Sequence, residues 1–411
     1  MAGMEVRREI EELVAFEGRL AGSESEREAA EHLAERLRSQ GRGVEVEPIS
    51  VHPNWALTHA LHALLAVAGS LVSVALPLVG IVILALVALS ALGDLTGTLL
   101  LLRRLTGRRA SQNVISREDS DKPGALVLVA HYDAARTEAI FGPKALERRA
   151  TIAKRLRSPI GLGGGFLISI FLILFCTLVR GLGIEATILS VVQFVPTVLL
   201  VLAVPVLLDI QLSAPVPGAA DNASGVATVL ALAERYGGKL EQLDLWVLFT
   251  GAGEAMSLGI REWLKRHRTE LPRGRTVFLN VDKVAHGTVR YTTKEGFLLA
   301  ASYDSRLVTI CEEIAEGDEE DRFGARAVVT RETSDTVPVH ARGHPAIKVS
   351  CLGALDYQPN YHQPTDTADR VDDDALGRGY EFCSALIEQM DERLGPDLAS
   401  LAEAAEGRGA G

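Results

Sequence analysis

Cysteine is scarce and unpatterned. Cys176, Cys311, Cys351 and Cys383 show no CxxC spacing, which argues against a thiolate zinc site and reads as a reduced, intracellular protein. The segment from Met1 to Glu12 is charged and has no apolar core, so no cleaved secretory signal is expected. Basic residues are in deficit: 42 Lys and Arg against 53 Asp and Glu give a formal net charge of -11, which excludes a phosphate-tracking nucleic-acid binder. Repeats of solenoid length are absent. What the chain has in excess is apolar sequence. Of its 411 residues 47% are hydrophobic, and the mean hydropathy of +0.17 is high for a water-soluble chain.

That excess is concentrated. No charged residue occurs between Glu47 and Asp94, a stretch long enough for two crossings of a hydrocarbon core, with a turn expected at Pro77 to Gly80. Uncharged stretches also separate Arg157 from Arg180 and Glu185 from Asp209, each close to the roughly 20 apolar residues that one crossing needs. The expectation is two transmembrane hairpins, at 54–102 and 159–209. Arg103, Arg104, Arg108 and Arg109 follow the first, and Arg148, Arg149, Lys154, Arg155 and Arg157 precede the second, whereas the hairpin tips offer only Arg180. By the positive-inside rule both termini and the central loop belong on the cytoplasmic side. Lys144 to Leu156 is expected to form a basic helix, either interfacial or solvated.

The remaining sequence, in pieces 1–53, 103–158 and 210–394, reads as one α/β domain whose mixed central sheet is flanked by helices, with 395–411 as a flexible tail. Ser23 and Glu26 form a capping box for a helix that Gly41 stops. Strands are expected near Val44 to Val46, Val114 to Ser116, Ala125 to Ala130, Leu243 to Phe249, Thr276 to Val281, Ala325 to Thr330 and Ala346 to Cys351. Several are unbroken apolar runs, as strands covered on both faces require. A long helix from Asp372 to Leu394 closes the domain.

Five segments place a metal-type ligand at a strand end or in the loop after it, where open α/β sheets build their sites. His131-Tyr-Asp133 offers an imidazole with a carboxylate that can orient it. Gly218-Ala-Ala-Asp221-Asn-Ala-Ser-Gly225 sets a carboxylate at a small-residue turn opening a helix, suited to bridging two cations. Phe249-Thr-Gly-Ala-Gly253-Glu254 and Asn280-Val-Asp282 each supply a carboxylate, and Tyr361-His362-Gln-Pro-Thr-Asp366-Thr-Ala-Asp369 supplies a second imidazole.

In order and flanking residues these segments, with Gly18-Arg-Leu-Ala-Gly22-Ser-Glu-Ser-Glu-Arg-Glu-Ala29, resemble the twenty-eighth metallopeptidase family, the co-catalytic di-zinc aminopeptidases. The resemblance implies a zinc aminopeptidase-like fold. It also implies two Zn2+ ions, one on His131 and Asp282 and the other on Glu254 and His362, with Asp221 bridging and Asp133 holding His131. Ligands of this kind suit zinc, and also manganese or cobalt. The implied substrate is a peptide or amide, hydrolysed by a metal-activated water. Because each insert crosses an even number of times, the site is expected on the cytoplasmic face of the bilayer, where substrates released from or tethered to the membrane are open to it.

Two departures stand out. Where the family has two consecutive glutamates, the first a general base, this chain has Gly253 and then Glu254. Asp133, Glu332, Asp335 or a substrate carboxylate would have to stand in for the missing base. On this reading Gly253→Glu is expected to raise turnover. In Ser334-Asp335-Thr336-Val-Pro338 the family usually has His in place of Thr336, a position of substrate contact. Beside the peptidase, two other readings stand: a metal-binding pseudoenzyme that recognises a peptide or membrane partner, and a related reaction such as cyclisation of an N-terminal residue.

Overall fold

The computed structural model describes residues 2–120, 122–156, 161–184, 186–271 and 275–409. Arg157 and Glu185, used above to bound the apolar stretches, lie outside the described residues. Nine strands form one mixed sheet: β1 (Glu45–Val51), β2 (Arg109–Ser116), β3 (Gly124–His131), β4 (Leu243–Thr250), β5 (Thr276–Val281), β6 (Thr288–Glu295), β7 (Ala301–Ser302), β8 (Arg326–Thr330) and β9 (Ala346–Leu352). Their order is β1-β2-β4-β3-β5-β9-β6-β7, with β8 beside β6. The centre, β4-β3-β5-β9, is parallel, and β2 and β6 join it antiparallel.

The period of two along β3 shows why the central strands are apolar throughout. Leu126, Leu128 and Ala130 face one hydrophobic cluster while Val127 and Val129 face another. Helices Glu24–Ser39, Ser224–Tyr236 and Asp373–Gly409 cover the first side. Ile260, Trp263 and Leu264 of helix Leu258–Arg266 cover the second. The capping box is present with a twist: Ser23 Oγ accepts from Glu26 N (3.0 Å), but the Glu26 carboxylate reaches back to Gly22 N (2.6 Å). Gly41 follows that helix at φ +77°, a left-handed conformation that suits glycine.

Three expectations change. β6 and β7 carry no apolar run and escaped the pattern; β6 is Thr-Val-Arg-Tyr-Thr-Thr-Lys-Glu, and ion pairs hold it, Arg290 on the exposed Asp356 (2.7 Å) and Glu295 on Lys348 in a buried pair (2.8 Å). Pro77 opens a helix at its first position instead of lying in the preceding turn. The closing helix runs on to Gly409, past Gly395, because the Ala- and Glu-rich sequence beyond it has high helix propensity.

Helices Trp55–Ala75, Pro77–Thr96, Leu162–Gly181 and Thr187–Leu212 are each long and apolar enough to cross a membrane. The first packs on the second and fourth, and the third on the same two. Their shared interior is built from Ala63, Ala66, Leu84, Ala88, Leu167 and Ile170, while Leu71, Leu86, Phe175 and Phe194 point outward and are exposed. The helix expected near Lys144 runs Pro143–Leu156.

Arg103 is not a surface cation. Its guanidinium grips Asp94 at the end of the second apolar helix (Nε to Oδ2 3.0 Å), and both side chains are fully buried. It also donates to Ala255 O (3.0 Å). Arg103→Ala strands a buried carboxylate, and the expected cost is about 3–5 kcal/mol. Thermal unfolding in detergent measures it, and an unchanged midpoint would refute the estimate.

Candidate metal centre

His131 closes β3, Asp282 follows β5, Glu254 lies four residues beyond β4 and His362 sits in the loop after β9, so the carboxyl ends of the parallel strands bring them together. Asp221 arrives from the turn before helix Ser224–Tyr236. Asn222 holds that turn in place: its Nδ2 donates to Val281 O (3.0 Å) and its Oδ1 accepts from Lys283 N (2.8 Å). Gly225 is required here, because a Cβ would stand 2.3 Å from Val281 O.

Two groups result. His131, Asp221 and Asp282 form one, and Asp221, Glu254 and His362 the other, each with its ligand-type atoms within 4.8 Å of one another. Asp221 belongs to both. His131 Nε2 is 3.4 Å from Asp221 Oδ1 and 3.8 Å from Asp282 Oδ1; His362 Nε2 is 3.4 Å from both Asp221 Oδ2 and Glu254 Oε2. Both oxygens of Asp221, Oδ1 of Asp282 and Nε2 of His362 are buried without a hydrogen-bond partner, while Asp282 Oδ2 faces the Lys283 ammonium at 3.0 Å. Such orphaned polar atoms are costly alone and are accounted for by bound cations, so the donor set fits the metal that the sequence implied.

Electrostatics agree. Burial would depress the histidines, but the surrounding carboxylates outweigh it and hold His131 and His362 well above the ordinary imidazole range. Burial would likewise raise Asp221; the Lys283 ammonium and the two imidazoles instead hold it well below the carboxylate range. Burial does raise Glu254, with Asp221 adding to it and His362 opposing. A divalent cation must displace the protons on His131 and His362, so metal affinity should rise with pH.

Asp133 has a use beyond its neighbour. It stands 3.5 Å from His131 Nδ1, which makes no hydrogen bond, and accepts from Gly253 N (2.7 Å) and Glu254 N (3.1 Å). Gly253 is packed tightly: a Cβ there would lie 2.4 Å from His131 Cβ and 3.1 Å from Asp133 Oδ1. Asp335 is buried and accepts from Thr250 Oγ1. Glu332 is exposed, and its charge is felt by Lys283 and Tyr361. Thr336 is buried and bonded to Asn280 Nδ2 (3.1 Å).

Sequence reasoning missed Glu138, whose Oε1 pairs with His362 Nδ1 at 2.8 Å, and no local pattern marks it. It also missed Lys283, with Nζ 3.0 Å from Asp282 Oδ2, although adjacency to Asp282 was a usable signal. Asp366 lies in the same loop as His362. It accepts from Ala220 N (2.8 Å) and Asp221 N (3.1 Å), fixing the bridging turn, and burial pushes its pKa up to about 7.

Residues 204–387 match the model of Peptidase family M28, a stretch that contains Asp221, Glu254, Asp282 and His362. A search of curated proteins gives no match. Among solved structures, a Zn-dependent exopeptidase from Parabacteroides distasonis is 12% identical, with 95% of this chain and 98% of that one covered at a TM-score of 0.54. A leucine aminopeptidase precursor from Bacteroides thetaiotaomicron is 13% identical (94% and 96% covered, TM-score 0.55), and a glutaminyl cyclase from Porphyromonas gingivalis 14% (94% and 98%, TM-score 0.56). At these identities the likeness establishes the fold.

Proposed function

We propose, taking the match of residues 204–387 to peptidase family M28 as the premise, that this chain is a membrane-embedded, zinc-dependent peptidase of aminopeptidase type. The observation that carries the reading is the pair of ligand groups sharing Asp221, with their unpartnered buried atoms. A bound zinc pair supplies Lewis-acid polarisation of the scissile carbonyl and lowers the pKa of a water. The chain's own residues do the rest. Glu138 orients His362, Asp133 fixes the backbone that presents Glu254, and Asn222 and Asp366 fix Asp221. Of the acids that could replace the usual base, Asp133 and Asp335 are buried and already accept hydrogen bonds, whereas Glu332 is exposed and its charge reaches Lys283 and Tyr361 beside the site; we assign the proton-accepting role to Glu332, with a substrate carboxylate as the alternative.

A cavity of about 170 Å³ supports a membrane-derived substrate. Its lining joins Glu254 and Glu138 to Trp55 and Ile210, at the ends of the first and fourth apolar helices, and to Arg109 and Arg136. Exposed Arg104, Arg108 and Arg148 favour a cytoplasmic setting for this face. Labelling of single introduced cysteines should find both termini and the Lys144 region accessible from the cytoplasm, and labelling from outside would refute the orientation.

A second reading has one observation in its favour. Gly253 leaves the usual water-activating position bare, and cyclisation of an N-terminal glutamine, in which the substrate's own amine attacks its side-chain amide carbon and passes a proton to the amide nitrogen that departs as ammonia, needs no activated water. Purified protein loaded with zinc decides between them. Release of the amine from aminoacyl amides, abolished in Glu332→Gln, is expected for the peptidase. Ammonia release from glutaminyl peptides alone would favour the cyclase, and neither, with metal bound, the pseudoenzyme.

A further inference from the structure

Histidine–carboxylate pairs among the described residues fall into two kinds. In one the atoms hydrogen-bond directly: His362 Nδ1 to Glu138 at 2.8 Å, His267 Nδ1 to Glu270 at 2.8 Å, His267 Nε2 to Glu47 at 3.1 Å. In the other they face each other at 3.4 to 3.8 Å with no hydrogen bond to the carboxylate, as around Asp221. Ligands about 2.1 Å from a tetrahedral ion stand about 3.4 Å apart, so the second spacing, where three ligand atoms converge, is one that atoms sharing a cation take.

Away from Asp221 the second spacing recurs at His131 Nδ1 and Asp133 Oδ1 (3.5 Å), where the carboxylate already accepts from two backbone amides, and at one cluster of three ligand atoms. His32 Nε2, on helix Glu24–Ser39, lies 3.8 Å from Glu9 Oε2 and 3.6 Å from Glu12 Oε2, both on helix Ala2–Val14. The three ligand atoms lie within 4.8 Å of one another. Glu9 is 4% exposed, and its Oε2 and the facing His32 Nε2 are buried with no hydrogen-bond partner. The other oxygens are already committed: Glu9 Oε1 pairs with Arg36, and Glu12 Oε1 accepts from Arg8 Nε at 2.7 Å. Glu9 and Glu12, three residues apart, share one helix face, and the Phe16 ring packs on the imidazole at 5.5 Å between centroids.

We propose that Glu9, Glu12 and His32 form a further divalent-cation site, separate from the two groups around Asp221, that ties the N-terminal helix to helix Glu24–Ser39. An imidazole with two carboxylates takes zinc, cobalt or manganese. The Glu12 side chain is 31% exposed, which leaves the ion a route to solvent. The helix it secures places Ile10 and Leu13 in the main core. Leu13 O accepts from Arg19 Nη1 (2.6 Å), and the same guanidinium donates to Tyr132 O and Gly218 O, beside the segments of His131 and Asp221. The site therefore supports the metal centre from behind without touching it.

Zinc titration of the full chain in detergent tests the site, with His32→Ala and the milder, solvent-facing Glu12→Gln as variants and Asp221→Ala as control. Each variant should bind about one equivalent of zinc per chain less than wild type. Each should keep the uptake that Asp221→Ala removes. In wild type, zinc at about ten times its Kd should slow amide exchange in residues 5–14 about tenfold, and in neither variant should it do so. Unchanged stoichiometry in both variants would overturn the proposal, as would protection of the helix by low pH alone, the signature of a protonated His32 paired with the two glutamates.

Discussion

Asp221→Ala should strip the metal centre of zinc more completely than any other single substitution. Its two oxygens face different imidazoles, His131 and His362, each at 3.4 Å. Losing an outer partner of a ligand costs about 10–100-fold in affinity. Glu138→Gln, at the carboxylate that pairs with His362 Nδ1, should fall in that range at one position, whereas Asp221→Ala should exceed it at both. Competition titration with a chromophoric chelator measures the two losses. Loss of a single equivalent in Asp221→Ala would show that the two groups do not share this residue. For wild type the same titration should give tighter binding at higher pH, since His131 and His362 hold protons against the entering ion.

Gly253→Glu should lower turnover, not raise it, reversing the expectation formed from the motif alone. A Cβ at this position would sit 2.4 Å from His131 Cβ and 2.7 Å from its Cγ, a clash with a metal ligand and not with a flexible tip. Relieving it moves the backbone whose amides, at 253 and 254, donate to Asp133. A fall of at least about tenfold in kcat, with weaker zinc binding, is expected. Gly253→Ala separates the causes, because it carries the clash without the carboxylate and should fall as well. A gain in Gly253→Glu with Gly253→Ala unchanged would refute the steric account and restore the missing-base reading.

The motifs made five ligand-type residues legible because four of them follow strand runs, the ends of β3, β4 and β5 lying side by side once the apolar runs pair, while Asp221 lies in a small-residue turn that opens a helix. The partners were harder. Glu138 approaches His362 across 224 residues of sequence, and nothing in its own neighbourhood sets it apart from a solvated glutamate. β6 was illegible because ion pairs at Arg290 and Glu295 hold it, and these leave no hydrophobic period. The burial of Arg103, one of the basic residues flanking the first hairpin, was illegible for a related reason: its partner Asp94 lies in an otherwise apolar helix, and only the fold shows the pair sealed from water. The fate of Gly253 depended on close packing against His131, which spacing cannot express.

The clasp between Arg103 and Ala255 has a counterpart at Arg261, which donates to both Thr96 O (2.9 Å) and Met256 O (3.0 Å), while Met256 packs into the interior of the four apolar helices. The turn beyond Glu254 is thus sewn to the first hairpin at three points. Dissection into a separable domain and a discardable anchor is not open to this chain: excising the hairpin would unpick the stitching that sets Glu254 in place, so the folded unit that carries the site ends inside the helices and not at their surface.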